Sequence, residues 1–144
     1  MNTLCILLVL LQDPPKVDRA NAASTAKAAL TAYKAKDLDA LGAVAASSNL
    51  VILKELKEQG EKHPRWKSLF VGGRWEAVSK WSGPTLPARY FGEKLARVPF
   101  GEPTAEGRLT VVVLKWEEGK WGFEDVNFPT RESFEQGSLE APKR

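Results

Sequence analysis

The sequence predicts an α+β domain: N-terminal helices packed on a curved antiparallel sheet of about four strands. Three observations carry that prediction. Residues 18–60 repeat apolar side chains at helical spacing, bounded by residues suited to helix starts and ends. From residue 72 onward, glycines and prolines divide the chain into short pieces with strand-like alternation. The last two pieces, 109–116 and 121–128, flank Glu117-Glu118-Gly119-Lys120 as a hairpin.

The elements follow in order. Residues 4–11 are an unbroken apolar run. The run falls short of the roughly 20 residues of a membrane-spanning helix and has the length of a signal-peptide core. No Lys or Arg precedes it, and Gln12-Asp13-Pro14-Pro15 follows where a small-residue cleavage site belongs. Residues 1–12 are read as an export segment to the periplasm or the outside. The alternative is a buried N-terminal strand in a cytoplasmic protein. The prolines make 13–17 a linker. Residues 18–130 form one domain, and 131–144 a polar tail expected to fray, with Phe134 able to pack back.

Asp18 is the expected cap of a helix running to about Lys36, with Ala22, Ala26, Ala29 (or Leu30) and Tyr33 as its buried stripe. Asp37 caps a second helix with Leu38, Leu41, Val44 and Ala45 inward. Ser47-Ser48-Asn49 starts a third, carrying Leu50, Leu53 and Leu56 and ending at Gly60. After the Gly72-Gly73 turn, Trp75, Ala77, Ser79 and Trp81 alternate with other residues, which predicts a strand. Residues 88–98 predict another, bent or bulged at Gly92. In the final hairpin, a two-residue turn pairs Trp116 with Trp121, and a bulged turn shifts the register by one.

Composition narrows the chemistry. The single cysteine, Cys5, lies in the N-terminal run, so residues 18–144 carry no thiol for a disulfide, nucleophile or metal. His63 is the only histidine, so a zinc site of the usual nitrogen and sulfur ligands cannot be built. Asp37-x-Asp39-x-x-Gly42 starts like a calcium loop but has Leu41 and Ser48 where later ligands belong. No nucleophile elbow accompanies His63, which reads as a solvated turn residue. No phosphate loop extends Gly72-Gly73-Arg74 or Gly119-Lys120. No cofactor or metal is expected.

Net charge is +3, unevenly spread: residues 54–97 hold ten Lys/Arg against five Glu, and residues 98–144 hold six against nine acids. Arg65, Lys67, Arg74, Lys80 and Arg89 sit among aromatics, but a nucleic-acid binder shows a stronger bias, so that partner is weighed against. Trp66, Trp75, Trp81, Tyr90 and Trp116 are candidates to line an apolar cavity, with Tyr33 and Phe123 beside them, or to fill the core. Asp125, among Trp121, Phe123, Val126 and Phe128, is the one candidate general base. The competing reading pairs Asp125 with an arginine or turns it outward.

Two stretches carry a family resemblance. Residues 28–41, ALTAYKAKDLDAL from Ala29 on, and residues 118–126, EGKWGFEDV, resemble the first helices and final hairpin of the nuclear transport factor two-like superfamily. The resemblance implies a cone in which helices close over a bent sheet, with a pocket at its mouth. That superfamily spans isomerases, dehydratases, cyclases, adaptors, oligomerisation domains and non-catalytic secreted proteins, so fold alone does not give function. Three functions stay open. One is a non-catalytic exported domain binding a small apolar ligand or a protein partner. The second is a cofactor-free isomerase, cyclase or dehydratase using Asp125, with a tyrosine as oxyanion donor. The third is an oligomerisation module, a homodimer through the open sheet face.

Overall fold

The computed structural model describes residues 17–144. The proposed export segment, Cys5 and most of the linker lie outside the described residues. Six α-helices and a four-stranded antiparallel sheet make up the described chain, helices first, as the sequence predicts.

Helix α1 (Ala22–Lys34) is capped by Asn21, whose side chain accepts from the Ser24 N–H at 3.0 Å. Asp18 instead caps a preceding turn through the Ala20 N–H. Asn21 wins because its side chain reaches the third residue on, the geometry a cap requires. The expected stripe holds: Ala22, Ala26, Ala29, Leu30 and Tyr33 are all buried. The small alanines let α1 lie close against β2, β3 and β4. Helix α2 (Leu38–Ala43) starts at Asp37, which accepts from Ala40 N–H, and buries Leu41. Helix α3 (Ser47–Gln59) buries Leu53 and Leu56 and leaves Leu50 exposed. It stops at Gly60, where φ is +59°, a conformation that suits glycine.

The middle of the chain departs from the alternation-based reading. Residues 75–81 are not a strand. Helix α4 (Trp66–Phe70) and helix α5 (Gly73–Lys80) fill that region. Trp75 and Val78 are three apart, and both pack on the core, Val78 fully buried. Over seven residues, periods of two and of three to four share too many positions to separate, and packing against α1 decides for helix. Residues 88–98 are likewise not one strand. Gly92, at φ +72°, is in the turn between β1 (Arg89–Phe91) and β2 (Leu95–Pro99). The sheet therefore keeps four strands, but a different four.

The final hairpin forms as read. β3 (Val111–Glu117) and β4 (Lys120–Asn127) pair with Trp116 opposite Trp121. Glu118 and Gly119 both take positive φ, +50° and +78°, giving the tight turn whose twist matches the strands. Strand order is β1-β2-β3-β4. Val112, Leu114, Trp121, Phe123 and Val126 join the helices in the main core. On the other face Leu109, Val111 and Val113 meet Phe134. The stretch expected to fray carries helix α6 (Arg131–Glu135), capped by Thr130 and anchored by Phe134. Ser138 then exchanges two hydrogen bonds of 2.8 Å with Tyr90 along β1.

Both sheet edges are thereby occupied. Along β4, Trp121 N–H donates to the Arg19 carbonyl, Phe123 N–H to Val44, and Ala46 N–H to the Phe123 carbonyl, at 2.7–2.8 Å. Asn49 Nδ2 reaches the Phe123 and Glu124 carbonyls at 2.9 and 2.7 Å. These bonds satisfy main-chain groups that an edge strand otherwise leaves unpaired.

Candidate functional site

The register of β4 slips at Asp125. Val113 pairs with Asp125 but Leu114 pairs with Phe123, leaving Glu124 as the extra residue of a bulge. Buried apolar side chains fall at Trp121 and Phe123, then resume at Val126. The bulge thus excuses Glu124 and Asp125 from the core alternation. The spacing of two, then three, then two from Trp121 through Phe128 records that slip in the sequence, a signal the strand reading left unused.

At this bulge a cleft of about 110 Å³ opens between β4 and helices α1 to α5. Tyr33, Leu41, Leu53, Phe70 and Phe123 form its apolar floor, and Asn49, Arg65, Ser68, Arg74, Glu124 and Asp125 bring polar atoms. Tyr33 sits edge-on to both Phe70 and Phe123, with centroids 5.5 and 5.9 Å away. Its hydroxyl donates to the Leu69 carbonyl. Burial pushes the Tyr33 hydroxyl well above its ordinary pKa, with Arg74 opposing and Asp125 adding to the rise. Tyr33 is therefore a protonated donor already bound to the backbone.

Asp125 Oδ1 accepts from the Val126 N–H at 2.8 Å and faces Arg74 Nε at 3.6 Å. Its side chain is about one-third exposed, 35 %. The arginine-paired alternative describes it. His63, expected in solvent, is buried: Nδ1 accepts from the Arg65 N–H at 3.0 Å, and Nε2 meets Glu55 at 3.0 Å. The N–H donor on Nδ1 places the imidazole proton on Nε2. His63 thereby fixes the backbone at Arg65, on the cleft's lip.

The remaining sequence candidates spread apart. Trp66 packs on Phe70 behind the cleft, with centroids 4.7 Å apart. Trp75 lies under Lys36, whose Nζ is 4.3 Å from the ring centre. Trp81 is buried and borders a broad groove of about 830 Å³ with Phe100 and Phe128. Tyr90 and Trp116 cluster on Trp121, and Arg144 stacks 3.9 Å over Trp116. Of the candidates, Tyr33, Phe123 and Asp125 line the cleft. The broad groove is larger, but the cleft is where polar groups converge over buried aromatics, the mark of a specific site.

Arg65, Arg74, Asn49, Ser68 and Phe70 complete the cleft without having been singled out as its residues. The signals were present: Trp66 and Phe70 are four apart, the spacing of a helix face. Asn49 reads as a helix-start residue, and only the tertiary fold shows what its amide caps. Among the described residues, no cluster of His, Asp and Glu is arranged to hold a metal ion, and no helix is long and apolar enough to cross a membrane. No protein-family model, curated protein or solved structure matches the chain.

Proposed function

We propose that this chain is a non-catalytic binding domain whose cleft at the β4 bulge receives a small ligand. The observation that carries the proposal is the commitment of both candidate catalytic groups. The Asp125 carboxylate sits against Arg74, and the Tyr33 hydroxyl is spent on the Leu69 carbonyl. A general base needs a carboxylate free to take a proton, and an oxyanion donor needs a free O–H aimed at the substrate. The Tyr33 hydroxyl fails the second condition, and Asp125 faces Arg74 where a base would face a substrate. The buried aromatic floor and polar lip support binding instead. The likeness to the nuclear transport factor two-like superfamily, in the order of helices and the Trp-containing hairpin, supports a cone-mouth site. The apolar run at 4–11 supports export of the domain.

The test is a fragment titration of the isotopically labelled full chain, followed by NMR. Binding is expected to shift Phe123, Asp125 and Phe70 together while the Trp116–Trp121 cluster stays still. A turnover that vanishes in Asp125→Asn with the fold intact would replace this reading with the proton-transfer one.

A further inference from the structure

Building on the ligand-binding reading, we infer that the cleft selects a small monocarboxylate with a compact, branched apolar body, its carboxylate held by Arg65 and Arg74. The polar half of the argument is donor capacity. Arg74 spends only Nε, on Asp125 at 3.6 Å. Among the described residues, the terminal nitrogens of Arg74 and the whole Arg65 guanidinium make no hydrogen bond to protein. Each guanidinium carries five donors in a planar fork that matches a carboxylate. Two such forks on the lip of one cleft form a receptor for a planar anion.

The charge count sets the valence. Asp125 offsets one of the two guanidinium charges, which leaves a single positive charge to be met. Glu124 also lines the cleft, but its carbonyl is the group that accepts from Asn49, and the residue borders the far face of the sheet as well, beside Lys94 and Lys115; Glu55 is engaged by His63. A dianion such as a phosphate monoester would set its second charge against Asp125, so a monoanion fits better.

The apolar half sets the body. Leu41, Phe70 and Phe123 are almost fully buried, and Leu53 nearly so. A ligand carbon seated over this floor is removed from water, which favours an apolar body there. The volume of about 110 Å³ is modest. A cavity of roughly 150 Å³ holds benzene, so a branched body of a few carbons matches the space and a fused ring does not.

The probes are 3-methylbutanoate, its uncharged amide, and the full-length chain, read by chemical shifts and calorimetry. The acid is expected to shift Phe123 and Asp125 and to weaken with added salt. The amide should bind at least about tenfold more weakly, the loss of one charge-assisted hydrogen bond. Arg65→Gln and Arg74→Gln, both at the solvent-facing lip, should each erase that preference without moving the melting temperature. If acid and amide bind equally, carboxylate selection is overturned and the ligand-binding reading stands. If neither perturbs the cleft at millimolar concentration while a different fragment does, the class named here is wrong. If no fragment of any kind does, both readings fall.

Discussion

One strand, β4, meets the helical half in two different ways. From Trp121 to Glu124 its outer edge is sealed by main-chain and amide hydrogen bonds from Arg19, Val44, Ala46 and Asn49. At Asp125, one residue further, the edge opens into the cleft, and among the described residues its one cross-connection to the helices is a 3.6 Å ion pair. The bulge separates the two. The sealed stretch satisfies buried backbone groups, and leaving those unmade is costly. The open stretch keeps polar side chains half in water, where each contact is worth little. A rigid seam beside a loosely held lip lets a site vary its lining without losing its frame.

Breaking the seam should cost most. Gly122 packs so closely that an added Cβ would stand 2.7 Å from both the Cα and the N of Ala46. Those atoms are backbone and cannot swing aside. Gly122→Ala is expected to destabilise the domain by about 3 kcal/mol, the upper range for overpacking, read as a lower urea midpoint at constant slope. A change below about 0.5 kcal/mol would mean that the seam is not as tight as drawn.

Asn49→Ala comes next. It strips the Asn49 amide from the Glu124 carbonyl and from the Phe123 carbonyl, which keeps the Ala46 N–H, at a half-buried position. The expected loss is about 1–2 kcal/mol, with faster amide exchange across α3 and residues 121–124 than across β2. Exchange rising uniformly over the sheet would show global destabilisation and no local seam.

Acid should act on the seam too. The Glu117 carboxylate, at the end of β3, accepts from Ser47 N–H and Oγ–H at 2.9 and 2.7 Å and so caps α3 from across the fold. These bonds, with Lys115 and Arg19 nearby, hold the Glu117 carboxyl below its ordinary value of 4.5. A depressed pKa means the native state binds its proton less readily than the unfolded chain. The stabilisation is present above the unfolded value and fades as pH falls through the native one. Glu117→Gln should therefore lie below the parent in stability at neutral pH and converge with it in acid. Parallel stability curves from pH 7 to 3 would remove Glu117 from this role.

The same contrast explains what could be read from the sequence. The helices over 22–59 and the final hairpin carry their instructions locally: Asn21 and Asp37 as caps, Gly60 and Gly119 as positive-φ points, valines at strand spacing. The cap at Asn21 rather than Asp18 was a shift within a correctly placed helix. Residues 75–81 read as a strand because Trp75, Ala77, Ser79 and Trp81 fit a period of two over too short a span, and only α1 tells Val78 which way to face. The β4 side of the cleft and Tyr33 facing it were legible, in Tyr33, Phe123 and Asp125. The arginines arrived with helices the sequence reading lacked, since Arg65 sits just before α4 and Arg74 at the start of α5. The bulge at Glu124 was written in the apolar spacing after Phe123, where a strand reading expects strict alternation.

The smallest effect should come from the residue that looked most catalytic. Asp125→Asn keeps the side chain's size and leaves an oxygen to accept the Val126 N–H. What it removes is the attraction to Arg74, between groups 35 % and 39 % exposed at 3.6 Å. Pairs this wet contribute at most about 0.5–1 kcal/mol, and often nothing measurable. The melting temperature should stay within about 4 °C of the parent. Affinity for a small carboxylate should rise, because the charge that offset one guanidinium is gone. A large loss of stability would move Asp125 to the sealed side of the bulge, and the division of β4 into a seam and a lip would have to be redrawn one residue later.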